Sequence, residues 1–136
     1  MLTLPIKQKW FDAIAAGIKT EEYREIKPYY TARLQNILAP YYRQDKQQPA
    51  GQGEQNTNRS LGDQQWLEEC EYGRYDSEPF DVCFRNGYNR SSPTFVAACT
   101  LRTGTGNPEW GAVPGTTYYI LTIRDIRSTS EEQNKD

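Results

Sequence analysis

Apolar residues open the chain as Leu2 and Leu4, then recur at Ile6, Trp10, Ile14 and Ile18 with Ala13 beside them. The first pair predicts a short strand. The four-residue recurrence predicts an amphipathic helix, begun by Pro5, whose missing N–H costs nothing in a first turn, and stopped by Gly17. "TEEYREI", Thr20–Ile26, has the length of a strand but no apolar face. Its two-residue period puts Thr20, Glu22, Arg24 and Ile26 on one side and Glu21, Tyr23 and Glu25 on the other. Pro28 then opens a second helix with Tyr30, Leu34, Ile37 and Leu38 as its core stripe, and Pro40 is expected to end it. From Gln44 to Gly62 apolar residues nearly vanish and Gln, Gly and Asn take over, which predicts a long, mobile polar loop over residues 44–62. "DQQWLEECEYG", Asp63–Gly73, fits a short acidic helix.

The second half alternates as strands do. Phe80, Val82 and Phe84 form one apolar series, Phe95, Ala97, Cys99 and Leu101 a second, and Tyr119, Leu121 and Ile123 a third. A Gly/Pro-rich connection carrying Trp110 separates the last two. Residues 128–136 form a polar tail. The order β-α-β-α, loop, then three or more antiparallel strands predicts a mixed α+β domain over residues 1–127, built on a small barrel.

Composition narrows the chemistry. The chain has 136 residues, enough for one core, and a net charge of −2 from 16 basic and 18 acidic side chains. Residues 1–43 are nevertheless net +3, while residues 44–78 are net −5. An anion-binding face therefore belongs to the N-terminal third. Histidine is absent, which excludes a Ser-His-Asp triad, a Cys-His dyad and the usual zinc sites. The 3 cysteines, Cys70, Cys83 and Cys99, lack a CxxC spacing and read as packing thiols rather than a disulfide framework. No metal or cofactor is expected. No stretch is long and apolar enough to cross a membrane, and the N-terminus lacks the features of a signal peptide, so a cytoplasmic protein without membrane contact is expected.

The segment richest in chemistry is "GIKTEEYREIKPYY", Gly17–Tyr30. Glu22 and Arg24 share a strand face, and Lys19 stands where helix passes to strand. Arginine offers a fork of donors to phosphate or a carbonyl edge, glutamate accepts from an exocyclic amine, and lysine pairs a phosphate or acts as a base when its pKa falls. The competing reading is a charged edge strand that discourages aggregation, with Glu22 and Arg24 as a surface ion pair. Lys27 and Tyr29 follow as further candidates, although Tyr29 and Arg33, four apart on a helix, also fit simple stacking. Lys7 is within reach of a phosphate. Arg85 and Asn86 extend the set if Asn86 meets a base edge rather than only forming an Asn-Gly turn. Trp10 and Trp110 read as core residues.

Gly17-Ile18-Lys19-Thr20-Glu21-Glu22-Tyr23-Arg24 resembles the G-x-K-x-x-E-x-R signature of the ASCH (ASC-1 homology) domain family. The flanking "LPIKQKWFDAIAAG", "FRNGY" (Phe84–Tyr88) and "WGAVPG" (Trp110–Gly115) also resemble a small bacterial and phage branch of that family. The likeness spans roughly residues 2–127. It implies a PUA-like β-barrel with two or three helices packed on its rim. It also implies a cleft for RNA or nucleotides lined by Lys19, Glu22 and Arg24. Some small members resemble amidohydrolases of N4-acetylcytidine, in which a threonine two residues before the signature arginine is the proposed nucleophile. This chain carries Glu22 there and has Thr20 on the same predicted face.

Three functions follow. The first is a binder of single-stranded RNA or a nucleotide or nucleoside derivative, using Lys19, Glu22 and Arg24 with Thr20, Lys7, Lys27, Tyr29, Arg85 and Asn86. The second is an amidohydrolase- or ribonuclease-like hydrolase with Lys19 and Glu22 as catalytic acid and base. The third is a protein-interaction module using the acidic 63–78 segment. A monomer or weak dimer is expected.

Overall fold

The computed structural model describes residues 1–45, 63–73, 75, 76 and 78–129. In chain order these form β1 (Leu2–Ile6), α1 (Gln8–Ala15), β2 (Glu21–Glu25), α2 (Pro28–Asp45), α3 (Asp63–Glu71), β3 (Phe80–Asn86), β4 (Thr94–Thr105), a short 3-10 turn (Pro108–Trp110) and β5 (Thr117–Thr129). The architecture is mixed α+β, a five-stranded sheet curled into a half-barrel with three helices. No helix among the described residues is long and apolar enough to cross a membrane.

The strand order is β1-β3-β4-β5-β2. β1 runs parallel to β3, and every other pair is antiparallel. Two register shifts interrupt the long β4–β5 ladder, between Val96 and Ala97 and between Ala98 and Cys99. Bulges of this kind bend a strand and increase its twist. The sheet therefore curls until its edges, β1 and β2, approach each other. A side chain spans the gap: Arg24 on β2 donates from Nη2 to the Pro5 carbonyl on β1 at 2.9 Å.

The alternation read from the sequence is the core. Leu2, Leu4, Val82, Phe84, Phe95, Ala97, Cys99, Leu101, Tyr119 and Leu121 are buried together with Ile14 of α1 and Leu34 and Leu38 of α2. The middle of β4 and β5 is covered on both faces, since Ala98, Thr100 and Ile120 are buried as well. α3 contributes the fully buried Trp66, whose Nε1 donates to the Tyr119 hydroxyl at 2.9 Å. Thr31 of α2 shares a hydrogen bond with the same hydroxyl. Tyr119 thus joins two helices to the sheet.

Four expectations need correction. Pro5 lies in β1 rather than opening α1, and Ile6 is a strand residue facing the core. A proline without N–H is tolerated there because β1 is an edge strand. Ile18 is 68% exposed, because α1 has already ended at a left-handed Gly17 (φ 80). α2 continues through Pro40 to Asp45, including Gln44 of the predicted loop; a proline removes one backbone bond, and that loss has not ended this helix. β5 extends to Thr129, so Ser128 and Thr129 belong to a strand rather than to a tail. The remainder of the predicted loop, 46–62, and of the tail, 130–136, lies outside the described residues.

Candidate functional site

α1 ends in a Schellman arrangement that aims Lys19. The Gly17 amide donates to the Ile14 carbonyl at 3.0 Å, and the Ile18 amide to the Ala13 carbonyl at 2.9 Å. The Lys19 amide also reaches Ala13, at 3.1 Å. This tight reversal sends Lys19 inward, where its side chain is 1% exposed. Thr20 follows on the surface, its carbonyl accepting from the Ile123 amide at 2.9 Å, and β2 then pairs with β5.

On the inner face of β2 the three predicted residues meet. Lys19 Nζ lies 3.0 Å from Glu22 Oε1, and Arg24 Nη2 lies 3.0 Å from Glu22 Oε2. Lys19 also donates to the Glu21 carbonyl. Its ammonium sits 5.3 Å from the Trp10 ring centre and 5.0 Å from that of Tyr23. Burial lowers the Lys19 pKa from its ordinary 10.5, while the Coulombic attraction and hydrogen bond of Glu22 pull it back up. Arg24 has, besides Glu22 and Pro5, the Tyr30 hydroxyl 3.1 Å from Nη1. Among the described residues nothing accepts from its buried Nε. With all three side chains charged, this cluster carries a net charge of +1.

Two depressions of about 360 Å³ each adjoin here, and Pro5, Arg24 and Tyr88 line both. The first is completed by Thr3, Leu4, Lys27, Tyr29 and Tyr30. The second is completed by Ile6, Lys7, Trp10, Glu22, Tyr23 and Gly87. The cleft thus follows the seam between the two edge strands, with arginine at its middle, aromatic walls and a lysine at either end. Tyr88 stands over it, 87% exposed, directly after Gly87 at φ 88.

Of the residues selected from sequence, Glu22, Arg24, Lys7, Lys27 and Tyr29 line this cleft. Lys19 is sealed behind Glu22 and borders neither depression. Thr20 is exposed and also lines neither. Arg85 and Asn86 are half-buried, one strand in from the seam, opposite Pro5 and Ile6. The Arg85 Nε is buried without a partner among the described residues. Asn86 does not open a two-residue hairpin: β3 ends at Asn86 and β4 begins only at Thr94. Lys27 pairs with Glu25 at 3.1 Å, and Tyr29 carries the Arg33 guanidinium 3.5 Å from its ring centre.

Of the aromatic walls, sequence reading selected Tyr29 and missed Trp10, Tyr23, Tyr30 and Tyr88. Trp10, a core residue by its spacing, is half-buried, both packing on the core and facing the cleft. Tyr30 lies at the end of the α2 core stripe and extends its hydroxyl to Arg24. Tyr88 had a signal, a tyrosine directly after Asn-Gly. The Glu21 side of β2 carries a second network that shares Tyr23 with the cleft wall: Glu21 accepts from Tyr23 at 2.6 Å and from Arg102 at 3.0 Å, and the Asn107 amide donates to the Tyr23 hydroxyl at 2.9 Å. Burial and Glu21 push the Tyr23 phenol well above its ordinary range. Among the described residues no His/Cys/Asp/Glu group is placed to hold a metal. Comparison with family models, curated proteins and solved structures finds no match to this chain.

Proposed function

We propose that this protein is an ASCH-type binding domain with a PUA-like barrel, and that its ligand is single-stranded RNA or a nucleotide or nucleoside derivative held in the seam cleft. The observation that carries the reading is Arg24 at the middle of that cleft, between aromatic side chains, with its buried Nε unpartnered among the described residues. Stacking against the π-faces of bases, together with cations along the backbone, is how single strands are bound. Glu22 borders the same cleft and offers an acceptor to an exocyclic amine. The total charge of −2 argues against a purely electrostatic grip on long duplexes.

Binding is better supported than hydrolysis. A depressed lysine pKa is what a general base needs, but Lys19 is enclosed, paired with Glu22 and borders neither depression, so it is not placed to take a proton from a substrate. The test is fluorescence anisotropy with short labelled single-stranded RNAs, comparing wild type with Arg24→Lys at two salt concentrations. The probe is inspected for cleavage afterwards. The expected result is binding with a shallow salt slope, that of about two or three neutralised phosphates, weakened about tenfold in a folded Arg24→Lys, with an intact probe. Folded wild type that binds no probe, or Arg24→Lys that binds equally well, would refute the proposal. A cleaved probe would replace it with the hydrolase reading.

A further inference from the structure

Arg24 belongs to two depressions rather than one. They have equal volumes of about 360 Å³ and meet at Arg24, Pro5 and Tyr88. Each is at the small end of the range for sites that take one compact ligand unit. Each also has its own aromatic wall, Trp10 and Tyr23 in one and Tyr29 and Tyr30 in the other. Tyr29 and Tyr30 are held edge to face, their ring centres 5.0 Å apart, and the Arg33 guanidinium lies over one face of Tyr29, 3.5 Å from its ring centre. Tyr88 overlooks both. A ligand filling both depressions therefore has two planar groups and a link between them that crosses the guanidinium.

The charge of the link follows from the cluster beneath it. With all three charged, Lys19, Glu22 and Arg24 sum to +1, and Arg24, which lines both depressions, keeps its Nε unpartnered among the described residues. A phosphodiester is a monoanion with two unbridged acceptor oxygens, which matches that charge. We infer that the cleft is a two-subsite site for a dinucleotide step of single-stranded RNA, with one base against Trp10 and Tyr23, the next against Tyr29 and Tyr30, and the linking phosphate on Arg24. This rests on the proposed function and specifies its ligand: the unit recognised is two nucleotides, not one and not a long track. Lys7 and Lys27, at opposite ends, then stand near the flanking phosphates.

The experiment is isothermal calorimetry on the whole protein. The probes are the dinucleoside monophosphates of the ordinary RNA bases, their component nucleoside monophosphates and matching longer oligonucleotides. The expected result is a dinucleoside monophosphate that binds about tenfold more tightly than either component, the scale of one base–aromatic stacking contact. Adding the two flanking phosphates, near Lys7 and Lys27, then raises affinity once, further length adds none, and folded Tyr29→Ala loses most of the dinucleotide's advantage. Equal affinity for one and two nucleotides would overturn the second subsite. Affinity that climbs steadily with length would overturn the two-nucleotide limit. Either result leaves the proposed function standing. Failure of every probe to bind would overturn both.

Discussion

The two faces of β2 carry the same kinds of residue to opposite ends. Inward, Glu22 holds two cations at once, is 7% exposed, and borders the cleft. Outward, Glu21 holds Arg102 and the Tyr23 hydroxyl, with its side chain 20% exposed. The outer network is a brace for the loop before β5. Tyr23 bonds the Asn107 amide, and its ring lies against Gly106. The inner cluster closes the seam through Arg24 and Pro5 and leaves the buried Arg24 Nε without a partner among the described residues. A carboxylate between an arginine and an aromatic ring is therefore no sign of a site. What separates the faces is whether the paired cation lines the cleft, as Arg24 does and Arg102 does not.

Removing each glutamate would test the contrast most severely. Glu22→Ala leaves Lys19 buried and Arg24 short of its counter-ion, and a stranded buried charge costs about 3 kcal/mol or more. Glu21→Ala frees a partly exposed arginine that water can serve, at a cost of about 1 kcal/mol. Urea unfolding of the two variants should show that order. Equal losses would erase the distinction between cluster and brace.

A smaller effect is expected from the brace alone. A Cβ at Gly106 would fall 2.6 Å from Tyr23 Cε1 and 2.8 Å from the Ala112 Cβ. Gly106→Ala must displace the ring or the loop, costing about 2 kcal/mol by overpacking. The loss of melting temperature should come with a changed tyrosine environment in near-ultraviolet circular dichroism. A Gly106→Ala variant as stable as wild type would mean that the loop is not held by this contact.

The smallest effect is a slope. Because burial lowers the folded Lys19 pKa below 10.5, the unfolded chain binds more protons between that folded value and 10.5. Its contribution to stability therefore rises with pH in that window. Cys70 and Cys99 act the other way. Burial raises their thiols from 9.0 to about 12, so the unfolded chain loses those protons first and stability falls with pH from 9 upward. Lys19→Met deletes only the opposing rise. Its unfolding midpoint should fall more steeply than that of wild type as the pH approaches 10.5 from below, where the lowered Lys19 pKa acts. Parallel slopes would show that Lys19 is not held below its ordinary pKa.

Local rules read a good part of this molecule correctly. Period-two spacing separated Glu22 and Arg24 from Glu21 and Tyr23, and the apolar alternation identified Val82, Phe84, Phe95, Ala97, Cys99, Leu101, Tyr119 and Leu121 as core. Gly17 marked the end of α1, and Lys19 was placed at the junction where the chain reverses. Each depends only on residues a few positions apart, so backbone geometry alone decides it.

The errors share a different origin. Pro5 looked like a helix start because an edge strand has no local signature; its edge position exists only once β1 has paired with β3 and nothing else. Arg102 gave no sign that it would meet Glu21 across the sheet. Trp10 and Tyr30 were apolar marks on helical stripes until the curl of the sheet turned part of each toward a cleft.

The sequence by itself determined the strand and helix order and the charged triplet, since periodicity and turn chemistry act over neighbouring residues. Only the tertiary structure decided that Arg24 would span two sheet edges, that Lys19 would be sealed behind Glu22, and that aromatic residues from four separate segments would wall one cleft. Those contacts depend on where the bulged β4–β5 ladder bends the sheet. That bend brings together residues far apart in the chain, which no local pattern encodes.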